Sequence, residues 1–521
     1  MSSSKKWINA GIKSVIGLTL LTILGSLMSL LYQSLIAHYF GANGMTDAYF
    51  MARNSSDLLQ KFMLLGQTSA VFMPIFASSY KKRESEAWDI TSNTLNAIGL
   101  LSFFLCLIAF LIAKPFVELI APGFSEQTKE ATVLFLRIIL PANILWSMSI
   151  ILTSVLQYRG IFIITALAQF VSSTLMIIIL FIGKNWGGIM ILPVGVLISS
   201  ILQFIILLRV TFKEGFIWQP KLKFGDPALK EVFALLFPFL FSLAITQVSM
   251  IVHNRLASIQ NVGDVTLLNY ASRIYSIMSN VLISVFPIVF FPALLSEVSN
   301  NPDKVGQMVM QSIKYMFITI TPIIIIVCIA SDPIIQTIFH GRNFTQQSSQ
   351  TTSNLLTIYG VSILTMIPLA VIQKVPFALK NTKITVAVSV VASFATIVLN
   401  IILVSSFGLY GLAWTATIIP LISYFAYRLF LKKTFETKAE SSKGPFFRFI
   451  ALIVAVTILT KATAMMVRLL LPKPLVELVL LVVTMLPFYF MMGLLLRINE
   501  FVKLRQRIWN IVPSLWNKSG A

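Results

Sequence analysis

Apolar runs of about 20 residues or more follow one another along almost the whole chain, and nothing else constrains its fold as strongly. Stretches such as Ile161–Leu180 and Ile384–Leu403 contain no charged residue. A bilayer core of about 30 Å needs about 20 mainly apolar residues per helix, and these runs read as such helices. Composition agrees. Of 521 residues 57% are hydrophobic and 11% charged, against roughly 25% charged in an average soluble domain. The chain is a polytopic membrane protein.

Fourteen runs are present, with cores near 12–37, 48–78, 91–113, 132–157, 161–183, 188–212, 231–252, 267–295, 309–330, 353–373, 384–406, 410–431, 447–467 and 475–496. With the N-terminus in the cytoplasm, 27 of the 40 Lys and Arg residues fall in cytoplasmic segments and seven on the opposite side. That asymmetry follows the positive-inside rule. The expected architecture is all-α, with 14 transmembrane helices and both termini cytoplasmic. Its parts read as an N-lobe of helices 1–6 (1–213), a cytoplasmic linker (214–230) and a C-lobe of helices 7–12 (231–432). A second cytoplasmic linker (433–446) leads to helices 13 and 14 and a cytoplasmic tail (447–521).

The two lobes read as copies. One run ends in Gly183-Lys-Asn-Trp-Gly-Gly188 and another in Phe407-Gly-Leu-Tyr-Gly411, with Gly188 and Gly411 223 residues apart. An even number of helices per copy makes the repeats parallel, related by an axis along the membrane normal.

Several function classes drop out. The formal charge of +21 is topological signal and anionic-lipid contact, not a nucleic-acid footprint. Cys106 and Cys328 lie in apolar runs, and His38, His253 and His340 are too scattered for a metal cluster. Met1–Lys6 leads into a span too long for a signal peptide. No P-loop, nucleophile elbow or zinc-protease motif occurs. Neither an enzyme nor a cofactor is expected.

The charges inside the runs carry the functional signal, because a charge at the bilayer centre costs about 2.5–3.5 kcal/mol even on the lenient insertion scale. Asp47, Arg53, Asp57, Gln60 and Lys61 lie before and within the second run. Arg53, Asp57 and Lys61 recur every four residues, so one helical stripe alternates in sign. Such a stripe is either a set of interhelical ion pairs or the polar wall of a transport cavity. Arg273, a few residues into the eighth run, is a guanidinium whose fork suits phosphate. Pro141, Pro238, Pro287 and Pro292 are expected to interrupt their helices.

Phe40-Gly-Ala-Asn-Gly-Met-Thr-Asp-Ala-Tyr-Phe50 resembles the segment after the first helix of the bacterial lipid II flippase family. Ala121-Pro-Gly-Phe124, Leu136-Arg-Ile-Ile-Leu-Pro141, Tyr270-Ala-Ser-Arg273, Phe291-Pro-Ala-Leu-Leu295 and Phe339-His-Gly-Arg-Asn-Phe344 follow in the expected order. The resemblance covers roughly residues 10–430, and the last two helices match by topology. It implies the exporter superfamily of multidrug, oligosaccharidyl-lipid and polysaccharide carriers, with two six-helix lobes around a cationic cavity. Two further helices would shape a groove for the lipid tail. The family's important charges match Asp47 and Arg273, while Tyr32 and His38 stand where the family has arginines in the first helix. Gln60-Lys61 replaces an arginine pair in the second, leaving Lys61, His38 and Arg53 as partial substitutes.

The expected function is therefore a flippase of the bacterial inner membrane, acting in cell-wall and peptidoglycan synthesis and so in cell shape. Its partners would be an undecaprenyl-diphosphate-linked saccharide, membrane lipids, and a coupling cation or the membrane potential, with the protein a monomer and no nucleic acid bound. The cavity residues would be Arg273, Asp47, Lys61, Arg53, His38, Asp57, Gln60 and Tyr32, with no metal. A cation-coupled multidrug exporter of the same superfamily and a non-transporting envelope scaffold stay open as alternatives.

Overall fold

In the computed structural model, residues 2–62, 65–223, 225–339, 341–379, 381–435, 443–470, 473–498 and 500–502 are described. They form helices α1 (Ser2–Phe40), α2 (Gly44–Phe62), α3 (Leu65–Lys82), α4 (Glu84–Leu111), α5 (Ala113–Ile120), α6 (Glu126–Tyr158), α7 (Phe162–Gly183) and α8 (Ile191–Lys213). Then come α9 (Pro227–Ser258), α10 (Asp264–Asn300), α11 (Val305–Ile329), α12 (Ser331–Phe339), α13 (Gln346–Ile372) and α14 (Val375–Ala378). The last are α15 (Thr382–Phe407), α16 (Leu409–Phe430), α17 (Lys432–Phe435), α18 (Lys443–Leu470) and α19 (Pro474–Leu495). No strand occurs among the described residues.

Eleven spans among the described residues are long and apolar enough to cross a membrane. The charged run 48–78 falls on α2 and α3, on either side of residues 63–64, and runs 231–252 and 267–295 lie inside α9 and α10. Of the proposed linker 433–446, residues 436–442 lie outside the described residues, as does the tail 503–521. The prolines do not break their helices: α6 continues through Pro141, and α9 and α10 through Pro238, Pro287 and Pro292. Each proline removes one backbone donor, a loss that neighbours in a membrane bundle can absorb.

The chain divides into two units. The first holds Met1–Tyr270, Gly341–Thr345 and Asn400–Val404, so the division falls within α10. In it α1 packs on α7, α6 gathers α2, α4 and α8, and α9 packs on α2, α3 and α5. Phe72, Phe76, Trp88, Ile151, Leu152 and Phe216 form its buried core. In the second unit α13 packs on α11 and α16, and the hairpin of α18 and α19 packs on α11. Glu477, buried at the start of α19, accepts from Arg468 Nε at 2.8 Å and pins that hairpin. Large apolar side chains such as Phe103, Ile182, Phe394 and Leu469 stay exposed, as a surface facing lipid requires.

The order of helix lengths shows a pattern along the chain. Long α4, short α5 and long α6 recur as α11, α12 and α13, and α6 with α8 corresponds to α13 with α16. The short helices begin alike, Ala113-Lys-Pro and Ser331-Asp-Pro. Gly188 and Gly408 have φ of +52° and +55° before α8 and α16, a conformation only glycine adopts cheaply.

After α8, residues 216–223 lack regular secondary structure and lie against α4 rather than hanging free. Ser92 Oγ accepts from Gln219 N at 2.7 Å, and Asn93 Oδ1 accepts from Lys223 N at 2.8 Å. Asn96 Nδ2 donates to the carbonyls of Gln219 and Lys221. One polar face of α4 takes up the backbone groups of the connecting segment, as groups without secondary structure demand.

Candidate functional site

The site is built on α2. Its start is set by Asn43, whose Oδ1 accepts from Met45 N and Thr46 N at 3.0 and 3.1 Å, while Thr46 Oγ1 accepts from Asn43 N at 2.8 Å. This reciprocal capping satisfies the donors a helix start leaves open. From there residues four apart fall on one face, and Tyr49, Arg53, Asp57 and Lys61 line up along it.

Midway along that face, Arg53 Nε lies 3.4 Å from Asp57 Oδ1, with the side chains 31% and 43% exposed. The guanidinium stacks on the Trp146 ring of α6, 4.6 Å from its centroid. One turn from the indole, Asn143 is fully buried and bonds Ser56 twice: its Oδ1 accepts from Ser56 Oγ at 3.2 Å, and its Nδ2 donates to Ser56 O at 3.5 Å. These bonds bolt α2 to α6. Tyr32 of α1 is buried beside Tyr49, their hydroxyls 3.4 Å apart, and the charge of Arg53 reaches both. Gln60 is half-buried and Lys61 exposed.

Asp47 and His38 sit elsewhere. Asp47 is 2% exposed, and its carboxylate caps the start of α10. Oδ2 accepts from Gly263 N at 2.6 Å, and Oδ1 accepts from Thr266 N at 2.8 Å and from Thr266 Oγ1 at 2.7 Å. A negative charge at a helix N-terminus also gains from the helix dipole. His38, in the last turn of α1, meets the ring of Tyr39 edge-on. The backbone of Gly341 lies so close that a Cβ there would come within 2.5 Å of His38 Cα. Next to it, Gly41, at φ +69°, lets the Asn343 carbonyl approach where a Cβ would stand 2.3 Å away, and Asn343 Nδ2 donates to Tyr39 O.

Arg273 belongs to the second unit, on α10, where it is half-buried. Two residues on, Tyr275 stacks on Tyr359 with ring centroids 5.0 Å apart, and its hydroxyl reaches Met366 Sδ at 2.7 Å.

Within the first unit, the structure therefore gathers Tyr32, Arg53 and Asp57, with Gln60 and Lys61 continuing the stripe, and sets Asp47 and His38 to structural contacts. Sequence reasoning missed Trp146 and Asn143. Their signal was an Asn-x-x-Trp pair just past Pro141, two hydrogen-bonding side chains on one helix face in an apolar run. Among the described residues no three His, Cys, Asp or Glu side chains are grouped to hold a metal.

Comparison with known proteins extends the picture. The family model described as lipid II flippase MurJ matches residues 36–491. A probable lipid II flippase MurJ of Buchnera aphidicola subsp. Schizaphis graminum is 23% identical over 458 residues, covering 86% of this chain and 88% of that protein. A solved lipid II flippase MurJ in an inward closed conformation superposes with a TM-score of 0.73 at 22% identity, covering 92% of this chain and 99% of the other. An inward-facing multidrug resistance transporter of the MATE family, in the MOP superfamily, gives 0.64 at 14% identity over 82% of this chain and all of that one.

Proposed function

The chain belongs to the lipid II flippase MurJ family, and on that premise we propose that it carries a polyprenyl-diphosphate-linked saccharide, lipid II or a related cell-envelope precursor, from the inner to the outer leaflet of the bacterial cytoplasmic membrane. The observation that carries this reading is the sign-alternating stripe of α2, whose Arg53–Asp57 pair is part-exposed inside an apolar helix bundle. Charges enclosed among apolar helices of a membrane protein face protein or a water-filled cavity rather than lipid. Transport proceeds by alternating access of two six-helix lobes, 1–213 and 231–432, in a fourteen-helix monomer with both ends cytoplasmic. Substrate is moved, not chemically altered.

Arg273 and Lys61 serve the diphosphate in this scheme, the guanidinium through two parallel hydrogen bonds and the ammonium as a point charge. The sugar crosses in water while the lipid tail stays in the bilayer, against α18 and α19. Return of the empty cationic cavity is helped by an inward-negative potential, worth about 2.3 kcal/mol per charge moved across 100 mV, or by a coupled cation. A drug exporter would want a buried carboxylate open to its substrate, whereas Asp47 is engaged in three accepted hydrogen bonds. The test is reconstitution in liposomes with labelled lipid II. Protein-dependent appearance of lipid II in the outer leaflet is expected, and failure to move any polyprenyl-diphosphate sugar would refute the reading.

A further inference from the structure

We propose that Trp146, Arg53 and Asp57 form a subsite for the saccharide part of the substrate, distinct in task from the cations that hold its diphosphate; this rests on the flippase reading above. The chemistry of the cluster separates the two tasks. Arg53 and Asp57 are 3.4 Å apart and sum to zero charge. A diphosphate approaching them meets a carboxylate as closely as a guanidinium, so attraction and repulsion largely cancel. Sugar hydroxyls, which donate and accept, gain from both partners.

The geometry is ready for such a ligand. Stacking on Trp146 at 4.6 Å fixes the plane of the guanidinium. Its Nε faces Asp57, which leaves the Nη edge as the donor to a ligand and the second oxygen of Asp57 as the acceptor. The part-buried indole extends this platform with an apolar surface beside the guanidinium, against which the C–H face of a pyranose can lie. The platform is held from behind by the buried Asn143–Ser56 bonds, so it is formed before the ligand arrives.

The test compares binding of lipid II and of sugar-free undecaprenyl diphosphate to the purified full-length protein, for the native chain and for Trp146→Ala, Trp146→Phe and Asp57→Asn. Thermal unfolding is followed in parallel. The expected result is that preference for lipid II over the bare carrier falls about tenfold in Trp146→Ala and Asp57→Asn, the loss of roughly one charge-assisted hydrogen bond or stacking contact. Should Trp146→Ala not fold, Trp146→Phe, which keeps an aromatic ring, and Asp57→Asn, which conserves volume, carry the comparison. Equal losses for both ligands, or no change in preference, would overturn the subsite. A native protein that binds neither ligand would instead remove the flippase reading itself.

Discussion

Asn143 shows how much one buried carboxamide can decide. Its two bonds to Ser56 hold α2 against α6 and thereby place Arg53 over Trp146. In Asn143→Ala the Ser56 groups lose their partner in a dehydrated bundle, at a cost of about 1–3 kcal/mol. A lower unfolding temperature is expected, measured in detergent, and partial recovery in Asn143→Gln would not be, because the longer side chain overpacks the site. Asp47→Ala likewise strips the cap from α10; losing a charged cap costs about 2 kcal/mol. Asp47→Asn keeps an acceptor and should lose less, so the ranking native, Asn, Ala in thermal unfolding checks the capping role. For Arg273 the expectation is functional. Arg273→Ala abolishes flipping in proteoliposomes while the protein still accumulates and folds, and Arg273→Lys restores part, since the charge survives without the fork.

Helices were legible in the sequence because hydrocarbon forces local hydrogen bonding, and each apolar run lands on a helix. Short α5 and α12 were missed, although their shared Lys-Pro and Asp-Pro starts announce them. The docking of 216–223 on α4 could not be read at all; it depends on Ser92, Asn93 and Asn96 sharing a helix face with a segment more than a hundred residues away. The same holds for Trp146, whose meaning comes from Arg53 across the helix contact. Another element formed only by packing is the chain reversal after α19. There Arg497 has φ +49°, and Phe501 folds back over Gly493, where a Cβ would meet its ring at 2.6 Å. Ile498 and Phe501 join Leu452, Val456 and Tyr489 in one buried cluster, and Lys314 Nζ meets Glu500 Oε1 at 2.6 Å. Gly493→Ala should expel Phe501 at a cost of about 1–3 kcal/mol. Faster proteolysis beyond Leu495, with α1–α16 still protected, is the expected readout.

At the scale of the whole molecule, topology is the property most open to direct measurement. In a background carrying Cys106→Ala and Cys328→Ala, Trp186→Cys at the exposed α7–α8 turn should react with a membrane-impermeant thiol reagent on intact cells. Glu84→Cys, at the first residue of α4 beside Lys81–Arg83, should react only after permeabilisation; the reverse pattern would overturn the proposed orientation. A second consequence follows from the unbroken course of α10 through its prolines. Its 37 residues extend about 55 Å at 1.5 Å per residue, against a hydrocarbon layer of about 30 Å. Such a helix must tilt, or leave its polar end Ser296–Asn300 standing in the headgroups. Arg273 lies nine residues from the start of this rod, about 13 Å along it, so on the proposed topology its distance below the outer headgroups follows the thickness of the membrane. Lengthening the acyl chains of the surrounding lipid would then set that charge deeper below the outer mouth of the proposed cavity.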